Sequence, residues 1–151
     1  MIRTIRAHRP RVEILVRADS HYAAPEVFNL CRARGVDFIP GLATNAARRA
    51  HVIPLEASTR ARATGSDKVR RFTAFHDGAR SWCRVERIIA RVEAGPQGVD
   101  TRFIPGSSPR TTSLTGGRGK WLYEQVYCRW GMAEEHTKSR KTHLVLQLRL
   151  L

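Results

Sequence analysis

Two carboxylates in this sequence occupy settings in which they could do chemistry. Asp19 follows the apolar run Ile14-Leu15-Val16 in RVEILVRADSHY, which predicts a carboxylate presented at the end of a buried strand. Glu134 lies in YEQVYCRWGMAEEHTKSRKTH, a long helical pattern rich in basic residues and nearly free of helix breakers. Within that pattern Tyr127, Trp130, Glu134, Lys138 and Lys141 follow one another at spacings of 3, 4, 4 and 3 residues. At about 100° per residue they share one narrow stripe. A carboxylate flanked by a phenol and two ammonium groups suits a site that holds a cation and a phosphate backbone together. Two plainer readings stand beside this one. Asp19-Ser20 is ordinary turn chemistry, and Glu134 and Glu135 can form solvated i,i+4 pairs with Lys138 and nearby bases.

The elements that must position these groups read as α/β at both ends with a β-rich middle. Residues 12–18 form a strand. Pro25 opens a helix through about Arg34, with Val27, Phe28, Leu30 and Cys31 inward and Gly35 as its cap. Val36–Ile39 is a second short strand. Residues 45–62 have helical composition, which Pro54 should break or kink. Gly65-Ser66-Asp67 is a turn, and Val69–Phe75 and Arg84–Glu93 are strands joined through the hairpin dipeptide Asp77-Gly78. Alternation of Ile88, Ala90 and Val92 with Ile89 and Arg91 suggests one well-buried face. Thr101–Ile104 is a further strand, cut short by Pro105. PGSSPRTTSLTGGRG (105–119) is a loop and the one linker-like stretch, and the last helix runs from about Lys120 to Thr142.

Composition bounds the function. A chain of 151 residues allows one domain or a piece of a larger one. With 42% hydrophobic residues, composition disfavours wholesale disorder, while the net charge of +14 favours polyanions, chiefly nucleic acid. A GC-rich coding sequence also yields arginine freely, so charge alone does not decide the partner. No apolar stretch is long enough to span a membrane, and MIRTIRAHRPR lacks the apolar core of a signal peptide. Cys31, Cys83 and Cys128 form neither a disulfide framework nor a zinc knuckle, so buried reduced thiols in a cytoplasmic protein are expected. His21, His51, His76, His136 and His143 show no metal-ligand spacing.

The segments ILVRADSHYAAPEVFNLCRARGVDFIPGLA, RVERIIARVEAG, DTRFI and LYEQVYCRWGMAEEHTKSRKTHL closely resemble a bacterial insertion-sequence transposase family with an RNase-H-like DDE catalytic domain. The resemblance runs from about residue 5 to residue 144. It implies that Asp19 matches the second catalytic aspartate and Glu134 the catalytic glutamate of a set that holds two divalent cations, Mg²⁺ or Mn²⁺. It also implies the signature Y-x2-R-x3-E-x6-K, met here by Tyr127, Glu134 and Lys141, with Trp130 in the arginine position. Tyr127, Lys138 and Lys141 would then contact DNA phosphates, and residues of about 65–105 would be the β-rich insertion seen in this group. Trp82, which stacks on an unpaired base in some related transposases, is expected here to pack in the core.

Two departures qualify the resemblance. Residues 1–18 contain no aspartate to match the first catalytic one, and LVLQLRLL at the end is unlike the polar family continuation and reads like out-of-frame translation. The expectation is therefore a partial, truncated catalytic domain over 1–151, cut-and-paste in ancestry and inactive alone, with weak or absent metal binding. Its partners would be DNA and a full-length transposase. Two alternatives remain: a non-catalytic basic nucleic-acid-binding module, or a decayed reading frame that yields no stable protein.

Overall fold

The structure, a computed structural model, describes residues 2–63, 68–106 and 118–128 together with the backbone of 145–149. The described elements are α1 (Ile2–His8), β1 (Glu13–Ala18), a 3-10 turn (Ser20–Tyr22), α2 (Pro25–Ala33) and β2 (Asp37–Pro40). They continue as α3 (Ala46–Ala50), α4 (Ile53–Arg62), β3 (Val69–Asp77), β4 (Glu86–Gly95) and β5 (Gly98–Pro105). Last come α5 (Gly119–Trp121), which runs into a π-wound segment (Leu122–Tyr127), and β6 (Val145–Arg149). The class is α/β, as expected.

β1, α2 and β2 form a βαβ unit, with β1 and β2 parallel and Ala18 opposite Pro40. Both strands are buried on both faces, which explains their nearly continuous apolar sequence. Pro25 sits in the first turn of α2, where its missing N–H costs nothing. The helix ends in a Schellman arrangement: Val36 N–H donates to Cys31 O (2.8 Å) and Gly35 N–H to Arg32 O (2.9 Å), with Gly35 at φ +56°. Phe28 and Cys31 face the core, but Leu30 does not, being 53% exposed. Its position lies about 100° around the helix from the middle of the Val27–Phe28–Cys31 face. Cys31 is the one buried thiol; Cys83 and Cys128 are exposed, against the expectation that all three are buried.

The stretch around Pro54 divides as predicted, into α3 and α4, with Pro54 in the first turn of α4. The turn expected at 65–67 lies outside the described residues. β3, β4 and β5 form an antiparallel meander. β4 has one well-buried face, as expected: Ile88, Ala90 and Val92 pack with Ile14, Val16, Phe28 and Phe38. On the other face Ile89 is also buried, against Leu15, Ile39 and Ile104, and Arg87, Arg91 and Glu93 are half-buried. A bridge from Leu42 to Phe103, with Leu42 N–H donating to Phe103 O at 2.9 Å, ties the end of β2 to β5. The meander and the βαβ unit thus share their core.

The hairpin chemistry falls elsewhere than expected. Asp77-Gly78 does not make a tight turn, because β3 and β4 are joined by the longer connection 78–85. The tight hairpin joins β4 to β5, with Gly95 opposite Gly98 and Gly98 at φ +108°. Asp77 serves as a clamp instead, accepting from Arg48 Nε at 3.0 Å. Trp82 packs edge-on to Phe28 (5.5 Å between ring centroids) and under the Arg48 guanidinium (5.2 Å), so it is packing material here.

Glu86, 1% exposed, is held by Arg32 and by Arg84 Nε at 3.0 Å, and Arg32 also lies over the Phe28 and Phe38 rings. Removing one partner of such a buried pair costs about 3–5 kcal/mol. Arg32→Ala should therefore lower the urea midpoint of unfolding strongly; an unchanged midpoint would show that Arg84 suffices.

β6 pairs antiparallel with the free edge of β1, in the sheet order β2-β1-β6. The terminal stretch that reads as foreign to the domain is, in the fold, a strand, consistent with its alternating V-L-Q-L-R pattern. Of the helix expected over about 120–142, the described residues hold the turn Gly119–Trp121 and the π-wound Leu122–Tyr127; the rest, 129–142, lies outside the described residues.

Candidate active site

Asp19 leaves the carboxyl end of β1 as the cap of the Ser20–Tyr22 turn, its Oδ1 accepting from His21 N–H at 3.0 Å. The turn reading of Asp19-Ser20 is thus realised in the structure, and it also fixes where the carboxylate stands. Alternation along β1 puts Leu15, Arg17 and Asp19 on one face and Ile14, Val16 and Ala18 on the other. The neighbouring parallel strand ends at the same level: Gly41, just past β2, donates its N–H to Ala18 O at 2.8 Å. The carboxyl ends of parallel strands are where open α/β sheets place their ligands.

The π-wound segment covers this corner. Leu122, Tyr123 and Val126 are buried against Leu15, Ile39, Ile89 and Ile104, and Tyr127 packs on the same cluster. Single π turns inside helices recur at functional sites. Tyr123 is wedged between Phe72 (5.7 Å between ring centroids) and Tyr127 (5.4 Å), with the Arg91 guanidinium 5.5 Å from its ring. Burial pushes its phenol well above the ordinary value, so it stays neutral.

Arg70 ties the segment to the meander by bonding Glu93 (2.6 Å) and Glu124 (3.4 Å). The hydrogen bond from Arg70 holds the Glu93 carboxyl below its ordinary range. A depressed carboxyl contributes stability that is full above its unfolded value, about pH 4.3, and lost as pH falls through the folded value. Glu93→Gln should accordingly flatten the acid limb of the stability profile below about pH 4.3; an unaltered limb would remove Glu93 from the account.

Tyr127 also reaches this corner. A methyl group placed on Gly41 would lie 2.9 Å from the Tyr127 hydroxyl oxygen, 3.5 Å from Ser20 N and 3.8 Å from the Asp19 carbonyl carbon. Two of the residues singled out from the sequence, Asp19 and Tyr127, are thus brought to the same strand end. Glu134, Lys138 and Lys141, with Trp130, lie outside the described residues. Sequence reasoning missed Gly41 and the Arg70–Glu124 tie; a glycine directly after an apolar strand was the available sign for the first.

Among the described residues, no three histidine, cysteine or acidic side chains cluster in a way that could hold a metal ion. Asp19 offers a carboxylate at the corner. Its half-buried position suits Mg²⁺, which prefers hard oxygen ligands and keeps several waters. No described helix is long and apolar enough to cross a membrane.

The family model described as Transposase DDE domain group 1 matches residues 1–148. The chain belongs to the DDE transposase family. It matches no curated protein and no solved structure. For a DDE transposase domain, a carboxylate at a strand end with a helical segment packed beside it is a chemically sensible corner. Membership brings the expectation of a DNA substrate and a divalent metal.

Proposed function

We propose that this chain is a catalytic-domain segment of a cut-and-paste DNA transposase, RNase-H-like in fold, in which Asp19 and Glu134 are the metal-holding carboxylates of a strand-cleavage and strand-transfer site. One juxtaposition supports this reading. Tyr127, the first residue of the Tyr127–Glu134–Lys141 pattern, places its hydroxyl over Gly41, where the Asp19–Ser20 backbone also lies, although the two are remote in sequence. The spacing from Tyr127 to Glu134 is about two α-helical turns, which keeps both on one face of a helix. In the same reading residues of about 65–105, including β3–β5, are an insertion between the Asp19 unit and the glutamate-bearing helix of about 120–142.

Divalent cations at such a site stabilise the charge that develops on a scissile phosphate and activate the attacking oxygen. The chain's own residues would hold the reactants. Asp19 offers oxygen ligands from a rigid strand end and Glu134 from a helix, while Tyr127, Lys138 and Lys141 bind backbone phosphates of the DNA. Trp130 brings no guanidinium fork to those phosphates. Asp19 and Glu134 supply two carboxylates where the family uses three, so the site holds metal weakly and the chain is inactive alone, with a full-length transposase as a further partner. Titration with Mn²⁺, followed by the paramagnetic resonance of the free ion, tests the ligand assignment. Asp19→Ala and Glu134→Ala should each weaken the bound fraction by at least about tenfold; binding that ignores both substitutions would contradict it.

A further inference from the structure

We infer that Gly41 is a positioning residue, the seat on which the Tyr127 hydroxyl rests beside the Asp19 turn. Three observations meet here. Gly41 is buried and its N–H is held by Ala18 O at 2.8 Å, so its backbone is fixed as the last rung between β1 and β2. Its φ is not positive, so no conformational demand calls for glycine at this position. A Cβ there would come within 2.9 Å of the Tyr127 hydroxyl oxygen, while its next contacts, Ser20 N at 3.5 Å and the Asp19 carbonyl carbon at 3.8 Å, are ordinary. Space for that one oxygen is therefore what the missing side chain provides.

The tyrosine has little freedom to give way. Its ring packs on Tyr123 at 5.4 Å and on the cluster containing Leu15 and Ile39. Through this ring, Gly41 sets how closely the segment 119–128 approaches the carboxyl ends of β1 and β2. The inference that this spacing serves catalysis rests on the assignment of Asp19 and Tyr127 to the active site; the seat itself does not.

The test uses the full chain as wild type, Gly41→Ala, Tyr127→Phe and the double variant. Urea unfolding is measured, together with fluorine NMR of 3-fluorotyrosine-labelled protein. Gly41→Ala should lower the urea midpoint by roughly 1 M, as overpacking does, and should move the Tyr127 resonance while leaving that of Tyr22 in place. In the Tyr127→Phe background, where the obstructing oxygen is gone, the alanine should cost little. A glycine kept for backbone reasons would show no such rescue. Equal losses in both backgrounds, an unmoved Tyr127 resonance, or a double variant that fails to fold along with Gly41→Ala would overturn the seat. Mn²⁺ broadening of the Tyr127 resonance that is lost in Asp19→Asn supports the catalytic role of the spacing. Rescue without such broadening would leave the seat standing and contradict the active-site reading instead.

Discussion

Incubated with supercoiled plasmid and Mg²⁺ or Mn²⁺, the isolated 151-residue chain should yield no more nicked or joined product than buffer does. Two-metal clamping of a phosphate depends on the whole ligand set, and losing an essential member commonly costs several orders of magnitude. Residues 1–18 hold no aspartate, and Trp130 occupies the arginine position of the helix pattern. An indole donates one N–H and cannot reproduce the paired bonds of a guanidinium to phosphate. Cleavage that requires metal and disappears in both Asp19→Ala and Glu134→Ala would show that the two carboxylates suffice, and would overturn the inactive reading.

Duplex DNA should nevertheless bind, without regard to sequence and with a steep dependence on salt. Several arginines are already engaged with carboxylates: Arg32 and Arg84 with Glu86, Arg48 with Asp77, Arg70 with Glu93, and Arg91 and Arg102 with Asp100. Even full pairing of the 13 acidic residues would leave most of the 27 lysines and arginines unmatched, which is the +14 excess. If about six phosphates are neutralised, affinity should fall roughly 10³-fold between about 50 and 200 mM salt. Fluorescence anisotropy on two unrelated duplexes would measure it. Salt-independent affinity, or none at low ionic strength, would mean that the charge excess follows coding composition rather than a DNA surface.

The parts of the fold that were legible in the sequence are those governed by neighbours along the chain. An apolar run fixed β1, and Pro25 and Gly35 marked the two ends of α2 because each acts through its own backbone geometry. Pro54 divided α3 from α4 for the same reason. The β3–β4 connection was misread because Asp77 is taken by Arg48 and Trp82 is drawn onto Phe28, contacts that no local dipeptide records. The burial of Ile89 on the other face of β4 depends on packing against Leu15 and Ile39 of the β1–β2 unit and on the segment 119–127, which strand alternation does not record. At the candidate site, Asp19 was legible from its place after a buried strand. Tyr127 was legible only as a member of a helical stripe. That the two meet over Gly41 is tertiary packing between distant residues, and the π winding of Leu122–Tyr127 leaves no mark in residue spacing.

Iron-directed backbone cleavage tests most directly whether Asp19 and Glu134 share a metal. Fe²⁺ substituted for Mg²⁺, with ascorbate and peroxide, generates hydroxyl radicals that cut the chain close to the bound ion. Two carboxylates on one ion lie about 3–4 Å apart, since each oxygen sits about 2.1 Å from the metal. Cuts are therefore expected around both residue 19 and residue 134, suppressed together by excess Mg²⁺ and lost together in Asp19→Ala or in Glu134→Ala. A cut at only one of the two positions, or a cut near residue 19 that persists in Glu134→Ala, would place the carboxylates apart and contradict the shared site.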